Sequence, residues 1–217
     1  MIPEHEIEPI PGLPEKLPEG EGILWQGSPR WWSLATRALH LRMLALYFAL
    51  MVTWSISTAA ASGGSLAEMA LASGTSLGLA LLCLAVLAVI GRALAKAAVY
   101  TITNRRVVLR VGVALPMTIN LPFSAIESAA VKRHADGTED IVLTLAPAHK
   151  IAWLALWPHA RPWRVARAEP MLRAVPVTAG AAQVLSRALA ASASMPVPAL
   201  AESQPASRQG LTGAVTA

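Results

Sequence analysis

Cysteine is almost absent from this chain of 217 residues, which contains Cys83 and no other. A single cysteine excludes a disulfide within the chain and cannot supply a cluster of thiolates for a metal. Cys83 lies inside a long apolar run, so we interpret it as a small hydrophobic side chain that faces lipid or a neighbouring helix.

Charge is also scarce. Charged residues make up 14% of the chain and hydrophobic residues 54%, whereas soluble proteins have about 25% charged residues. Residues 1–22 hold six glutamates and one lysine, and the rest of the chain holds 17 basic and 7 acidic residues. This pattern predicts an acidic, Pro-rich arm at 1–22 and a basic body that suits an anionic membrane surface better than a nucleic acid.

Two long stretches contain no charge at all, at 43–61 and 69–91. Nineteen helical residues span roughly 28 Å, close to the ~30 Å hydrocarbon core of a bilayer, so both stretches predict transmembrane helices. A short external loop, 62–68, joins them. Arginines and lysines flank the pair in the lead-in 23–42 and again after Gly91, which predicts that both termini are cytoplasmic, in a multi-pass protein of the bacterial inner membrane.

After Lys96 the pattern changes to short runs rich in β-branched residues, separated by turn residues. Strands are expected in AVYTIT, RVVLRV, MTINLPFSAIESAAVK, IVLTLA and IAWLALW (151–157), with a hairpin turn at Asp136–Gly137. Residues 177–192 have helical periodicity. The predicted fold is an α+β membrane protein: a two-helix transmembrane hairpin, then an antiparallel β-barrel with a C-terminal α-helix at 97–192, and a disordered tail at 193–217.

The chain offers little for catalysis. The five histidines are far apart, and neither a phosphate-binding loop nor a serine-elbow motif occurs, so we expect no enzyme and no metal site. His40, just before the first apolar run, is a weak candidate as an axial ligand of bacteriochlorophyll magnesium or haem iron. The alternative is an ordinary polar residue at the membrane edge, and we expect no resident cofactor.

Three arginines, Arg105, Arg106 and Arg110, lie within the strand-like run VYTITNRRVVLRVG. They could contact anionic lipid or an acidic face of a partner. The alternative, which we favour, leaves one of the adjacent pair solvated and places the other in a salt bridge to Glu127, Glu139 or Asp140, because neighbours on a strand face opposite ways.

The block WPHARPWR at 157–164 is the best candidate for recognition of a protein partner. Tryptophan and arginine are enriched at binding hot spots, and two prolines would reduce the ordering cost of docking. In the alternative, both tryptophans pack beneath the domain or lie in the membrane interface. The candidate partner-binding residues are Trp157, Pro158, His159, Arg161, Pro162, Trp163 and Arg164.

Two of these motifs resemble a known family. Glu21, Leu24, Gly27 and Pro29 have the spacing E-x-x-L-x-x-G-x-P before the apolar hairpin, and the strand YTITNRR follows it at 100–106. Both resemble the bacterial membrane proteins that carry a pleckstrin-homology-like domain. The resemblance implies a pleckstrin-homology-like barrel after the hairpin.

A second resemblance covers residues 19–190. The segments VGVALPMTINLPFSAIESAAV, ADGTEDIVLTLA and LWPHARPWRVARAEPMLRAVP are similar to the photosynthetic reaction-centre assembly proteins of purple bacteria. It implies a non-enzymatic assembly factor for the complex of reaction centre and light-harvesting 1 antenna, in the photosynthetic membrane. The implied partners are reaction-centre subunits including H, light-harvesting 1 polypeptides and other assembly factors.

Two other functions stay open from the sequence. One is a lipid-binding or self-oligomerising membrane protein without a photosynthetic role. The other is a carrier of bacteriochlorophyll or haem that uses His40.

Overall fold

The computed structural model describes residues 12–13, 15–193 and 201–202. Most of the acidic arm predicted at 1–22 and of the tail predicted at 193–217 therefore lies outside the described residues.

Two long helices form the apolar hairpin. Helix α1 (Trp31–Ala38) leads into α2 (Leu41–Ala61), and α3 (Leu66–Ala97) returns antiparallel to it. Both α2 and α3 are long and apolar enough to cross a membrane by length and composition. Few of their apolar side chains are covered by protein, which distinguishes them from the buried core helices of soluble domains.

The connection between α2 and α3 is a tight turn that ends in a capping box. Ser65 Oγ accepts the backbone N–H of Glu68 at 3.3 Å, and Glu68 Oε2 accepts the N–H of Ser65 at 2.7 Å. This exchange satisfies two backbone donors at the start of α3 and explains the lone charge in this stretch.

The strands form two four-stranded sheets that enclose one core. The first sheet has the order β1-β2-β3-β4, all antiparallel, and the second has the order β7-β6-β5-β8. A short 3₁₀ turn, Phe123–Ala125, joins β4 to β5. The strands are β1 (Ile23–Gly27), β2 (Val99–Thr103), β3 (Arg106–Val111), β4 (Met117–Pro122), β5 (Ile126–Arg133), β6 (Thr138–Leu145), β7 (Met171–Pro176) and β8 (Ala201–Glu202).

Side chains from both sheets meet between them. Tyr100 and Leu109 of the first sheet and Ile141 and Leu172 of the second are fully buried, and Leu185 of the C-terminal helix is buried against the same core. A single helical turn, α4 (Trp153–Leu156), comes earlier in the chain, and the C-terminal helix is α5 (Ala181–Ala193). The predicted fold class is confirmed: an apolar helical hairpin, antiparallel sheets and a C-terminal helix.

One predicted strand is wrong. Residues 151–157 contain α4 instead of a strand, because Trp153–Leu156 consists largely of Leu and Ala, which favour helix, and Pro158 cannot continue a ladder. On the side away from β5, the strand that pairs with β6 is Met171–Pro176. Sequence reasoning missed this strand because Arg173 interrupts its apolar pattern.

The lead-in is part of the folded domain. Ile23–Gly27, which we expected only to precede the hairpin, pairs antiparallel with β2 along the edge of the first sheet. Trp25 also donates its indole N–H to the Ala179 carbonyl at 2.8 Å, just before α5. The two long apolar helices are therefore inserted between the first two strands of one sheet.

Candidate functional site

The WPHARPWR block ends in an exposed loop. All side chains from Arg161 to Arg167 are exposed, and Trp163 at its tip is 97% exposed. Trp163 adopts the left-handed conformation with φ 65°. Val165, two residues further along the loop, is also apolar and is 65% exposed. The loop thus presents an apolar tip flanked by arginines, which is a composition typical of protein-binding hot spots.

Glu169 holds the base of this loop. Its carboxylate accepts a hydrogen bond from Arg161 Nη1 at 2.8 Å, and Arg164 Nη1 lies 3.9 Å from its other oxygen. The backbone N–H of Arg161 donates to the Glu169 carbonyl at 2.9 Å, and Ala160 forms a bridge with Pro170. Because the Glu169 side chain is only 9% exposed, it anchors the two arginines in a defined position.

Within the first half of the block, Pro158, His159 and Ala160 are buried, whereas Trp157 is 43% exposed. His159 is fully buried, and its Nδ1 lies 2.6 Å from the Tyr100 hydroxyl. That hydroxyl also accepts the backbone N–H of Arg173 at 3.3 Å, and His159 Nε2 has no hydrogen-bond partner among the described residues. Pro158 and His159 are therefore core residues, which corrects their inclusion among the partner-binding residues.

Burial sets the protonation of this pair. Desolvation, with a smaller contribution from the positive charge of Arg173, lowers the pKa of His159 to about 3. Desolvation likewise raises the pKa of the Tyr100 hydroxyl far above its usual value, against smaller opposing effects of Arg173. Both groups are neutral at physiological pH, and the pair acts as a structural hydrogen bond inside the core.

The three arginines of VYTITNRRVVLRVG do not form one patch. Arg106 donates two hydrogen bonds to the Glu21 carboxylate, Nε to Oε1 at 2.7 Å and Nη2 to Oε2 at 3.0 Å. Arg105 is exposed in the turn between β2 and β3, while Arg110 lies at the other end of β3 and lines a cavity with Lys96 of α3.

As predicted, one of the neighbours Arg105 and Arg106 is exposed and the other forms a salt bridge, but the predicted carboxylate partner is wrong. Arg106 binds Glu21, which sequence reasoning assigned to a solvated arm, rather than Glu127, Glu139 or Asp140. The Glu21 side chain is only 3% exposed, so this bidentate pair fastens the start of β1 to β3.

Glu139 and Asp140 face opposite sides of β6, as neighbours on a strand must. Glu139 accepts the backbone N–H of Ala182 in the first turn of α5, and burial raises its pKa. Asp140 accepts the Ala174 N–H at 2.7 Å through Oδ1 and lies 2.8 Å from His134 Nε2 through Oδ2. Sequence reasoning read both carboxylates only as turn residues.

Arg37 connects α1 to this side of the second sheet. Its Nη2 donates to Thr138 Oγ1 at 2.7 Å and lies 3.8 Å from Asp140, and its Nη1 lies 3.9 Å from Asp136. Slight burial acts to raise the pKa of Asp136, but hydrogen bonds from Thr138 and Ser33 and the charge of Arg37 outweigh it and lower the pKa to about 2. The Asp136 carboxylate therefore stays ionised, and its contact with Arg37 fixes α1 relative to the second sheet.

His40 is exposed and precedes the first residue of α2 in a left-handed conformation, with φ 55°. Within the described part of the chain, no group of three or more His, Cys, Asp or Glu side chains is placed to hold a metal ion. Its role as a pigment ligand stays a prediction.

Comparisons with known proteins agree with this architecture. Residues 42–180 match the bacterial PH domain family, where PH stands for pleckstrin homology. The chain is 34% identical over 194 residues to an uncharacterized 23.7 kDa protein in the puhA 5' region of Rhodobacter capsulatus, an alignment that covers 89% of this chain and 91% of that protein. No solved structure matches the chain. By the extent of the family match and of the Rhodobacter alignment, this chain belongs to the bacterial PH domain family.

Proposed function

We propose that this protein is a non-enzymatic assembly factor for the photosynthetic reaction centre and its light-harvesting 1 antenna. The observation that carries the proposal is the relative in the puhA 5' region, which lies in a photosynthesis gene region and aligns along 91% of its length. The proposed partners are reaction-centre subunits including H, light-harvesting 1 polypeptides and other assembly factors.

The loop Arg161–Arg167 is the proposed contact for a partner. Trp163 exposes nearly its whole surface to solvent, a cost that docking against another protein would reverse. Glu169 holds Arg161 and Arg164 at the base, so the loop loses little conformational entropy on binding. A partner with an apolar pocket and an acidic rim would complement it.

The proposed location is the bacterial inner membrane, with α2 and α3 as a spanning hairpin. The hydrogen bonding of β1 to β2 in one sheet supports a hairpin whose two ends lie on the same side of the membrane. Arg30, Arg37 and Arg42 before the hairpin and Arg92 and Lys96 at its end support the cytoplasmic side.

Gene replacement in Rhodobacter capsulatus tests the function. The gene of the 23.7 kDa relative is deleted and this chain is expressed in its place with an affinity tag. We expect near-infrared absorption of the reaction-centre and antenna complex in the membranes to be restored, and reaction-centre or antenna polypeptides to co-purify with the tag. The proposal is contradicted if the near-infrared absorption is restored but no reaction-centre or antenna polypeptide co-purifies with the tagged chain. It is also contradicted if neither the absorption nor the co-purification is observed.

Two variants locate the contact. Trp163→Ala is expected to lower the amount of co-purified partner at least about tenfold, which is the usual effect of removing a hot-spot tryptophan. Leu115→Ala is the matched control, because Leu115 is also large, apolar and 83% exposed but lies in the turn before β4. Equal losses with both variants contradict the assignment of the loop.

An absorption spectrum of the same purified protein shows whether it carries bacteriochlorophyll or haem.

A further inference from the structure

A basic cavity of about 380 Å³ lies between α1, the second sheet and the base of the loop Arg161–Arg167. Four cationic side chains line it from four different elements: Arg37 from α1, Lys132 from β5, Arg161 from the loop and Arg173 from β7. Asp140 is the one carboxylate that the described residues contribute to the lining, and His134 lies beside it. The cavity shares Arg161 and Pro162 with the loop proposed to contact a partner, but its other lining residues lie outside that loop.

The positive charge in this cavity exceeds the negative charge available there. Asp140 already accepts the Ala174 N–H and contacts His134, and it lies 3.8 Å from Arg37. Arg161 is matched by Glu169 at 2.8 Å. The charge of Arg173 has no carboxylate within ion-pair distance among the described residues, since Asp140 acts on it only at longer range.

Arg173, which has no nearby carboxylate partner in the part of the chain that the structure describes, is also buried. The residue is 6% exposed, and its Nε has no hydrogen-bond partner among the described residues. Burial lowers its pKa, Asp140 opposes this effect, and the like charge of Arg37 adds to it. Arg37 Nη1 is a second buried donor without a hydrogen-bond partner in the described chain. Buried donors and charges without partners are costly, so native proteins normally pair them with a protein group, a ligand or water.

We infer that this cavity binds a phosphate group, supplied either by a membrane lipid headgroup or by a soluble phosphate ester. Guanidinium forks from α1 and β7 approach from different sides, which suits an anion with several oxygens better than a planar carboxylate. Lys132, which is exposed, would add a point charge at the rim. The volume leaves room for a substituent beyond the phosphate.

The position of the cavity makes a headgroup accessible. Arg37 is in the last turn of α1, four residues before α2 begins at Leu41, where the apolar segment begins. The four-residue step from Arg37 to Leu41 can span at most about 14 Å, so this lining arginine lies near the start of α2. This inference does not rest on the proposed photosynthetic role, because Arg37, Lys132 and Arg173 lie outside the loop Arg161–Arg167, which contributes only Arg161 and Pro162 to the lining.

Thermal unfolding of the full chain in detergent tests the inference. Inorganic phosphate is titrated against chloride at constant ionic strength, and the midpoint of unfolding is measured for the wild type, Arg173→Met and Arg187→Met. We expect phosphate to raise the wild-type midpoint by about 3 °C or more and to raise that of Arg187→Met equally, since Arg187 is an exposed arginine on α5. Arg173→Met should lose the response while being at least as stable as the wild type in phosphate-free buffer.

Lipid identity is tested with nanodiscs of phosphatidylcholine with and without phosphatidylglycerol. A midpoint increase that depends on both the anionic lipid and Arg173 assigns the site to a headgroup, whereas an Arg173-dependent response to inorganic phosphate alone assigns it to a soluble ester. If Arg173→Met does not fold, Lys132→Gln is used, with an expected loss of affinity of about tenfold. Equal responses of variant and wild type, or no response to either ligand, overturn the inference.

Discussion

The two arginine-rich stretches of this chain use the same side chain for opposite purposes. In YTITNRRVVLRV, Arg106 is matched to a carboxylate from a distant part of the chain, and the Glu21 side chain is almost inaccessible to water. In WPHARPWR, Arg161 and Arg164 share the local carboxylate Glu169 and stay about half exposed. The first stretch closes the fold, and the second displays a surface.

The distance along the chain between partners explains this difference. Glu21 and Arg106 are 85 residues apart and are separated by both membrane helices, so their pairing depends on the complete tertiary structure. Glu169 is eight residues from Arg161, and their pairing shapes only one loop. Loss of the first pair should therefore affect global stability, and loss of side chains from the second stretch should affect recognition.

Arg106→Ala should give the largest loss of stability. It leaves the nearly buried Glu21 carboxylate without its cation, and we expect a loss of about 2–4 kcal/mol in unfolding free energy. Denaturant unfolding of the detergent-solubilised chain, followed by tryptophan fluorescence, measures it. Arg105→Ala is the matched control, because Arg105 is the exposed neighbour, and it should change stability by less than about 0.5 kcal/mol. Equal effects of Arg106→Ala and Arg105→Ala would mean that the pair of Arg106 with Glu21 does not stabilise the fold.

His159 is a buried residue of the otherwise largely exposed WPHARPWR block, and its burial should be visible in the pH dependence of stability. The folded pKa of about 3 lies below the ordinary value of 6.5, so the unfolded chain binds the proton more readily. The stabilisation is thus complete above pH 6.5 and is lost as pH falls toward 3. Between pH 7 and pH 5 we expect a loss of about 2 kcal/mol that is specific to this residue.

His159→Gln provides the comparison for that measurement. Glutamine does not titrate, so the variant should lose less stability than the wild type over the same pH interval, whatever its stability at pH 7. Thermal or denaturant unfolding at several pH values gives both slopes. Parallel slopes for the two proteins would mean that His159 is accessible to protons in the folded state.

Trp163→Ala should have the smallest effect on stability. A side chain that is 97% exposed loses almost no packing on truncation, so the unfolding free energy should change by less than about 0.5 kcal/mol. The same variant should show the loss of partner that was proposed above. A stability loss above about 1 kcal/mol would instead make Trp163 a packing residue.

The sequence predicts those features that depend on local pattern. Charge-free runs identify the hairpin, and Asp136–Gly137 identifies the turn between β5 and β6, where Gly137 has φ 74°. The helical period of 177–192 corresponds to α5, which begins after Gly180. Each of these signals lies within a few residues, so tertiary context has little chance to override it.

Features that depend on distant contacts could not be predicted. β7 contains Arg173 in a run of otherwise apolar residues, and its burial becomes evident only when α1 and β5 surround it. The block WPHARPWR was selected by residue type, and residue type does not separate the core histidine from the tip tryptophan. Glu21 looked like part of a solvated acidic arm because its partner is distant in sequence.

The insertion of the hairpin between β1 and β2 also orders the biosynthesis of this protein. β1 leaves the ribosome before α2 and α3, yet its pairing strand is made only after both, so the first sheet cannot form until both helices have been synthesised. For a hairpin that spans the membrane as proposed, the sheet also requires that α3 return the chain to the side where β1 lies. A chain with a single crossing would then leave β1 without β2 and the Glu21 carboxylate without Arg106.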